Sequence, residues 1–125
     1  MKKLYSNKDI YRITKQLLSE FKDNNIILPI QINYSIQYNL DKLVHLYNLI
    51  EGSRNSLGEK YGTFLEEERV YKIFPENIEK AQMELDKLFE IEHNVDIKLV
   101  SLEDLKELPL TNTQMAALLF MIEEE

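Results

Sequence analysis

The chain has no cysteine, and only two histidines, three glycines and three prolines among its 125 residues. Without cysteine there is no disulfide framework, no thiolate nucleophile and no Cys-based zinc site. Such a composition suits a reducing cytoplasm. So little Gly and Pro excludes a loop-rich or low-complexity chain. Gly52, Gly58 and Gly62 stand too far apart and in the wrong context for a P-loop or a dinucleotide fingerprint, and no nucleophile-elbow motif occurs. Long apolar runs are also missing. The run Met115–Ile122 has eight residues, far short of the roughly 20 that a membrane-spanning helix needs. Met1-Lys2-Lys3 is basic, but neither an apolar core region nor a small-residue cleavage site follows, so no signal peptide is expected.

What is present is an ordinary globular mixture, 44% apolar and 30% charged, in a length that fits one domain over residues 1–125 and can bury a core. The net charge of −7 is unevenly placed. Residues 1–25 hold six Lys/Arg against three Asp/Glu, residues 26–62 three against three, and residues 63–125 six against sixteen. A surface this acidic repels phosphates, so a nucleic-acid role is disfavoured. It implies either a solvated, solubilising face or an acidic mimic of nucleic acid that blocks a basic protein.

Hydrophobic spacing supplies the elements. After an extended entry, Ser6-Asn7 offers an N-cap with Asp9 in the first turn, and Ile10, Ile13, Leu17, Leu18 and Phe21 form one helical stripe. This predicts a helix over 7–23, stopped by Asp23-Asn24-Asn25. Residues 26–35 alternate like a strand, but Ile32, Ile36, Leu40, Leu43, Tyr47, Ile50, Leu57 and Tyr61 keep one heptad register, with Arg54 at the skipped position. The longer pattern predicts a helix from about residue 30 to Tyr61, with Pro29 able to open it and Gly62 as C-cap; a strand over 26–35 is the alternative. A turn, a short strand near Val70–Phe74 and Pro75 lead to a third helix, whose face is Ile78, Ala81, Leu85, Leu88 and Phe89. Val95, Ile97 and Leu99 alternate as a strand that could pair with the N-terminus or with Val70–Phe74. "SLEDLKEL" suggests one helical turn. Thr111 and Gln114 form a capping box for a last helix, apolar on every side, which must be core or interface. The fold expected is α+β, mainly α: a helical bundle with a long helical hairpin and a two- or three-stranded β ribbon.

Candidate sites are fewer. Glu90-x-x-His93 would put two metal ligands on one helical face, but only one other histidine exists, His45 in an Asp41-x-x-x-His45 pattern, so the constellation is incomplete. No metal or cofactor is expected, and no catalytic set is visible. Tyr34, Tyr38, Tyr47 and Tyr61 on the long helix are amphipathic, and line either the core edge or a binding face with Arg54 as its charged anchor. Met115, Leu119 and Phe120 are interface candidates in the last helix. Arg12, Lys15 and Arg54 are the cations available to a phosphate or nucleotide.

The segments "NKDIYRITKQLLSEF", "LPIQINYSIQYNLDKLVHLYNLIEGSRNSLGEKYG", "PENIEKAQMELDKLFEIEHNVDIKLVSLEDL" and "LTNTQMAALLFMIEEE" together resemble a family of small uncharacterised proteins carried by phages and prophages of low-GC Gram-positive bacteria. The resemblance covers nearly the whole chain and is most specific in Glu51–Gly62 and in the closing segment. It implies a phage origin and brings no catalytic residues. The expectation is a non-enzymatic phage accessory protein in the infected host's cytoplasm, binding a protein partner such as a host defence factor. A virion or assembly component, acting as a homo-oligomer, and a protein that sequesters a signalling nucleotide are the alternatives.

Overall fold

The computed structural model describes residues 1–21 and 27–124. The chain starts as a strand, β1 (Lys2–Ser6), and passes directly into helix α1 (Asn7–Phe21). The Ser6 hydroxyl accepts the Asp9 N–H at 3.1 Å, so Ser6 is the cap that satisfies one of the free amides of the first turn. Ile10, Ile13, Leu17 and Phe21 are buried as their spacing requires, Leu18 is half-buried, and Thr14 joins the stripe by donating its hydroxyl to the Ile10 carbonyl at 2.6 Å. The expected stop at Asp23-Asn24-Asn25 lies outside the described residues.

Helix α2 (Ile30–Tyr61) has the predicted bounds, 32 residues or about 48 Å. Pro29 stands one position before the first helical residue, and its carbonyl accepts the Asn33 N–H at 3.0 Å. From Ile30 onward the strand alternative is overturned, because Ile32, Ile36, Leu40 and Leu43 need a helical period to reach one core; residue 26 lies outside the described residues. Gly62 does end α2, but in an extended conformation rather than a left-handed cap, and it starts β2 (Gly62–Leu65). β2 pairs antiparallel with β3 (Val70–Ile73), so the stretch expected as a turn is the first arm of a hairpin. A short turn opened by Pro75 leads into α3 (Ile78–Glu90). α3 runs back along α2, placing Glu84 at Lys60 and Phe89 near the level of Tyr47.

The later strand is β4 (Glu92–Asp96), shifted toward the N-terminus from the expected Val95–Leu99, and it pairs antiparallel with β1. The expected ribbon is therefore two separate two-stranded sheets, β1–β4 and β2–β3. Helix α4 (Leu102–Lys106), capped by Ser101, inserts Leu105 into the core. The Thr111–Gln114 capping box is formed in both directions and opens α5 (Asn112–Leu118).

The last helix is shorter than its apolar run suggested. After Leu118 the backbone tightens into a single 3-10 turn, and Ile122 leaves it extended, with Val100 N–H donating to Met121 and Glu123 N–H to Val100, both at 2.8 Å. Ala117, Leu118 and Met121 are buried, but Ala116 and Leu119 face outward, so the segment is core on one side and not enclosed on all sides. The core lies among α1, the first half of α2, β4 and this closing segment. Within it, Asn39 on α2 donates to the Lys98 carbonyl at 2.9 Å and accepts the Lys98 N–H at 2.8 Å, pinning the chain after β4. Among the described residues no helix is long and apolar enough to cross a membrane.

Candidate functional site

The second half of α2, the β2–β3 hairpin and α3 enclose an open groove of about 590 Å³. Glycine makes its floor possible. A Cβ on Gly58 would collide with the Tyr71 ring, and one on Gly62 with the Lys72 carbonyl, so these positions let the hairpin lie directly on the helix. Tyr71 meets Phe64 edge-on at 5.1 Å and donates its hydroxyl to Glu59 at 3.1 Å. Partial burial, then the Glu59 carboxylate, raise the Tyr71 phenol above its ordinary value. Apolar side chains remain open to water around this floor: Phe64 is 45% exposed, Val70 52% and Ile78 55%. Large apolar residues left in water around one concavity mark a surface suited to a partner.

Two arginines border the groove. Arg69 occupies the last position of the four-residue hairpin turn at φ 56°, where its N–H reaches the Leu65 carbonyl at 2.8 Å; a non-glycine residue is disfavoured there. Arg54 sits at the inner end, donating to Glu51 at 2.8 Å and to the Tyr11 hydroxyl at 2.6 Å. Tyr11 in turn stacks on Tyr47 at 5.1 Å, meets Phe89 edge-on at 5.8 Å, and has Lys15 over its ring. Burial pulls Arg54 down, but Glu51 and Tyr11 outweigh it and hold the guanidinium above its usual value. Tyr47 is raised by burial, then by Glu51 and Tyr11. This cluster joins α1, α2 and α3, and the seam position left to Arg54 by the heptad pattern is where the three helices meet.

The four tyrosines of α2 do not make one face. Tyr34 and Tyr38 pair at 6.4 Å near the start of the helix, where Lys98 lies over both rings and Lys42 over Tyr38. The Tyr38 hydroxyl donates to Asp96 at 2.7 Å, and the Met1 amino group reaches the same carboxylate at 3.2 Å. Tyr47 turns to α1, and Tyr61 lies at the far end under Lys60, its carbonyl accepting from Phe74 and Asn77.

Of the expected interface residues in the closing segment, Met115 and Phe120 are half-buried against the core, and Leu119 is 64% exposed. Phe120 offers its carbonyl to Lys3 at 3.0 Å. Leu119 borders a second groove, about 560 Å³, with Leu4, Lys3 and Arg12. Of the three cations weighed for a nucleotide, Lys15 and Arg54 both lie over the Tyr11 ring, at 5.1 and 5.2 Å from its centroid, with Arg54 engaged by Glu51, whereas Arg12 lines the second groove.

Glu90 and His93 do not share a helical face. The helix ends at Glu90; the backbone of Ile91 turns extended and its carbonyl accepts the Asn7 N–H at 2.7 Å, and His93 sits in β4 opposite Tyr5. His45 is exposed on α2, as its position between seam residues suggested. Among the described residues no group of three or more His, Asp or Glu is placed to hold a metal ion. Sequence reasoning missed Tyr11, Phe64, Arg69 and Tyr71. An arginine carries no signal for a left-handed turn, and Phe64 and Tyr71 belong to a hairpin whose first strand is only four residues long. Comparison with protein-family models, with curated proteins and with solved structures returned no match.

Proposed function

We propose that the protein is a non-enzymatic binding protein that takes part of a partner protein into the groove between α2, the hairpin and α3. The observation that carries the reading is a concavity with apolar walls, Phe64, Val70 and Ile78 among them, left open to water in a chain otherwise able to bury a core. The resemblance to phage and prophage proteins adds the setting: an accessory protein of the infected host's cytoplasm whose partner is a host factor, such as a defence protein. The test is affinity capture from host lysate with the wild type and with Ile78→Asp, a substitution at an exposed groove residue that leaves the core alone. A specific partner retained by the wild type and lost by the variant supports the proposal. No specific partner, or one indifferent to Ile78→Asp, refutes it.

One observation favours a second reading, a self-assembling virion or assembly component. Leu4 is 59% exposed beside Leu119 at 64%, and the two share the second groove. Light scattering separates the readings: an oligomer that Leu119→Glu dissociates into folded monomer supports assembly, and a monomeric wild type rejects it.

A further inference from the structure

The second groove follows the free edge of a strand. Lys3, Leu4 and Tyr5 all line it, although successive side chains of a strand point to opposite faces of its sheet; a cavity that touches three in a row runs along the strand's edge. β4 holds the other edge of β1, and their sheet is two-stranded. The parity of the ladder fixes which groups are left over. The Ile97 N–H donates to the Met1 carbonyl at 2.8 Å and the Asn7 N–H to the Ile91 carbonyl at 2.7 Å, in line with the register of the pair, so it is the odd-numbered residues of β1 that bond to β4. The N–H and carbonyl groups of Lys2 and Leu4 and the N–H of Ser6 point outward, and among the described residues no backbone group bonds to them.

An unpaired edge is a template for another strand, and the sequence of β1 selects which one. When a second copy of β1 is laid antiparallel on this edge with Leu4 at the two-fold axis, Leu4 exchanges both of its hydrogen bonds with Leu4 of the second copy, and the Ser6 N–H of each chain reaches the Lys2 carbonyl of the other. Side chains then oppose one another as Leu4 to Leu4, Lys2 to Ser6 and Lys3 to Tyr5. No lysine faces a lysine, although lysines on an edge strand ordinarily keep copies apart. The apolar surface beside the pairing is Leu4 and Leu119, exposed at 59% and 64%. The charged residues of the groove are Lys3 and Arg12 against Asp9 and Glu124, a balanced set in a chain of net charge −7, so two copies meet here without the repulsion that their acidic surfaces impose elsewhere. The outer edge of β4 fails the same test: centred on Asn94, it would set Glu92 against Asp96.

Resting on the self-assembly reading above, and independent of the groove beside α3, we propose that two copies of the chain pair through β1, joining their two-stranded sheets into one four-stranded antiparallel sheet in the order β4, β1, β1, β4. The test is the mass of the whole chain in solution by light scattering, where the wild type should give twice 14.9 kDa. Leu4→Lys and Leu4→Glu each remove the apolar contact and set like charges against each other across the axis, so each alone should weaken dimerisation about tenfold. Mixed in equal amounts the two variants should form a dimer again, because this register places position 4 opposite itself. Leu4→Pro removes an outward N–H without touching a β1–β4 bond; it should stay folded by circular dichroism and run as a monomer. A monomeric wild type overturns both the pairing and the self-assembly reading. An oligomer that Leu119→Glu dissociates but that neither charge variant weakens leaves self-assembly standing and rejects the pairing through β1, and so does a mixture of the two charge variants that stays monomeric.

Discussion

The two halves of α2 are one continuous helix in two environments. In the first half Ile32, Ile36, Leu40 and Leu43 are buried, and even the polar Asn39 is fully enclosed and doubly hydrogen-bonded to the Lys98 backbone. In the second half only Ile50 and Gly58 are buried, and α3, which packs there, has no buried residue at all. A helix of about 48 Å is longer than the core that a 125-residue chain can build around it. The excess length is covered by a four-residue-per-strand hairpin and one amphipathic helix, which leaves apolar surface available. The half that is incompletely packed is the half in which we propose binding, and also the half that should open first.

The largest expected effect tests this contrast by deletion of buried volume. Ile36→Ala, in the closed half, should cost about 3 kcal/mol of unfolding free energy, and Leu85→Ala, half-buried in the open half, about 1 kcal/mol, both read by urea denaturation. Equal losses would mean the two halves are packed alike. Next in size is Asn39→Ala, which leaves the Lys98 N–H and carbonyl without their partners and should cost about 2 kcal/mol, with faster hydrogen exchange after β4 and little change in the hairpin. Gly62→Ala forces a Cβ onto the Lys72 carbonyl; it should cost about 1–2 kcal/mol. The loss should fall on the amides of the hairpin, while those of α1 and of the β1–β4 pair keep their protection. A uniform loss across both halves would show that the hairpin folds as one unit with the core.

What could be read from the sequence divides along the same line. The closed half was legible because its order is periodic: α1, the length of α2 and the Thr111–Gln114 cap follow from side-chain spacing and local hydrogen bonding, which depend on neighbours three or four residues away. The groove was not legible, because it depends on pairings between distant residues. Gly58 reads as an ordinary weak point of a helix until Tyr71 is placed over it, and Arg69 gives no hint of a left-handed turn. Of the expected site residues, Arg54 does line the groove, since its place in the heptad register fixed which side of α2 it occupies. Tyr34 and Tyr38 share the long helix with Tyr47 and Tyr61, as the heptad pattern predicts, but they lie at different points along it and meet different neighbours. The end of the last helix was overestimated for a related reason: apolar content does not distinguish a helix from a 3-10 turn followed by an extended exit, and it is the Val100 backbone, far away in sequence, that takes up the freed N–H of Glu123.

The smallest effect concerns pH, and it compares the halves through two exposed carboxylates. Asp96, in the closed half, is held below its ordinary value by the Tyr38 hydroxyl and then the Met1 amino group; Glu84, in the open half, by Tyr61 and then Lys60. A carboxyl whose folded value is depressed contributes stability above its unfolded value, near 4, and loses it as pH falls through the folded one. The phenols behave oppositely. Tyr38, raised by its bond to Asp96, and Tyr71, raised by burial and Glu59, contribute stability that is complete below about pH 10 and is lost as pH rises through their folded values. These four groups therefore predict a thermal midpoint that is level between about pH 5 and 9 and declines on both sides, weakly, because exposed groups are well screened. Asp96→Asn should reduce the acid decline as seen by probes in the β1–β4 pair. Tyr71→Phe, which keeps the ring over Gly58 but removes the ionisable hydroxyl, should reduce the alkaline decline in the hairpin alone. If Tyr71→Phe changed the alkaline response of the closed half as well, the two halves of α2 would be coupled, and a partner seated in the groove would then be felt in the core.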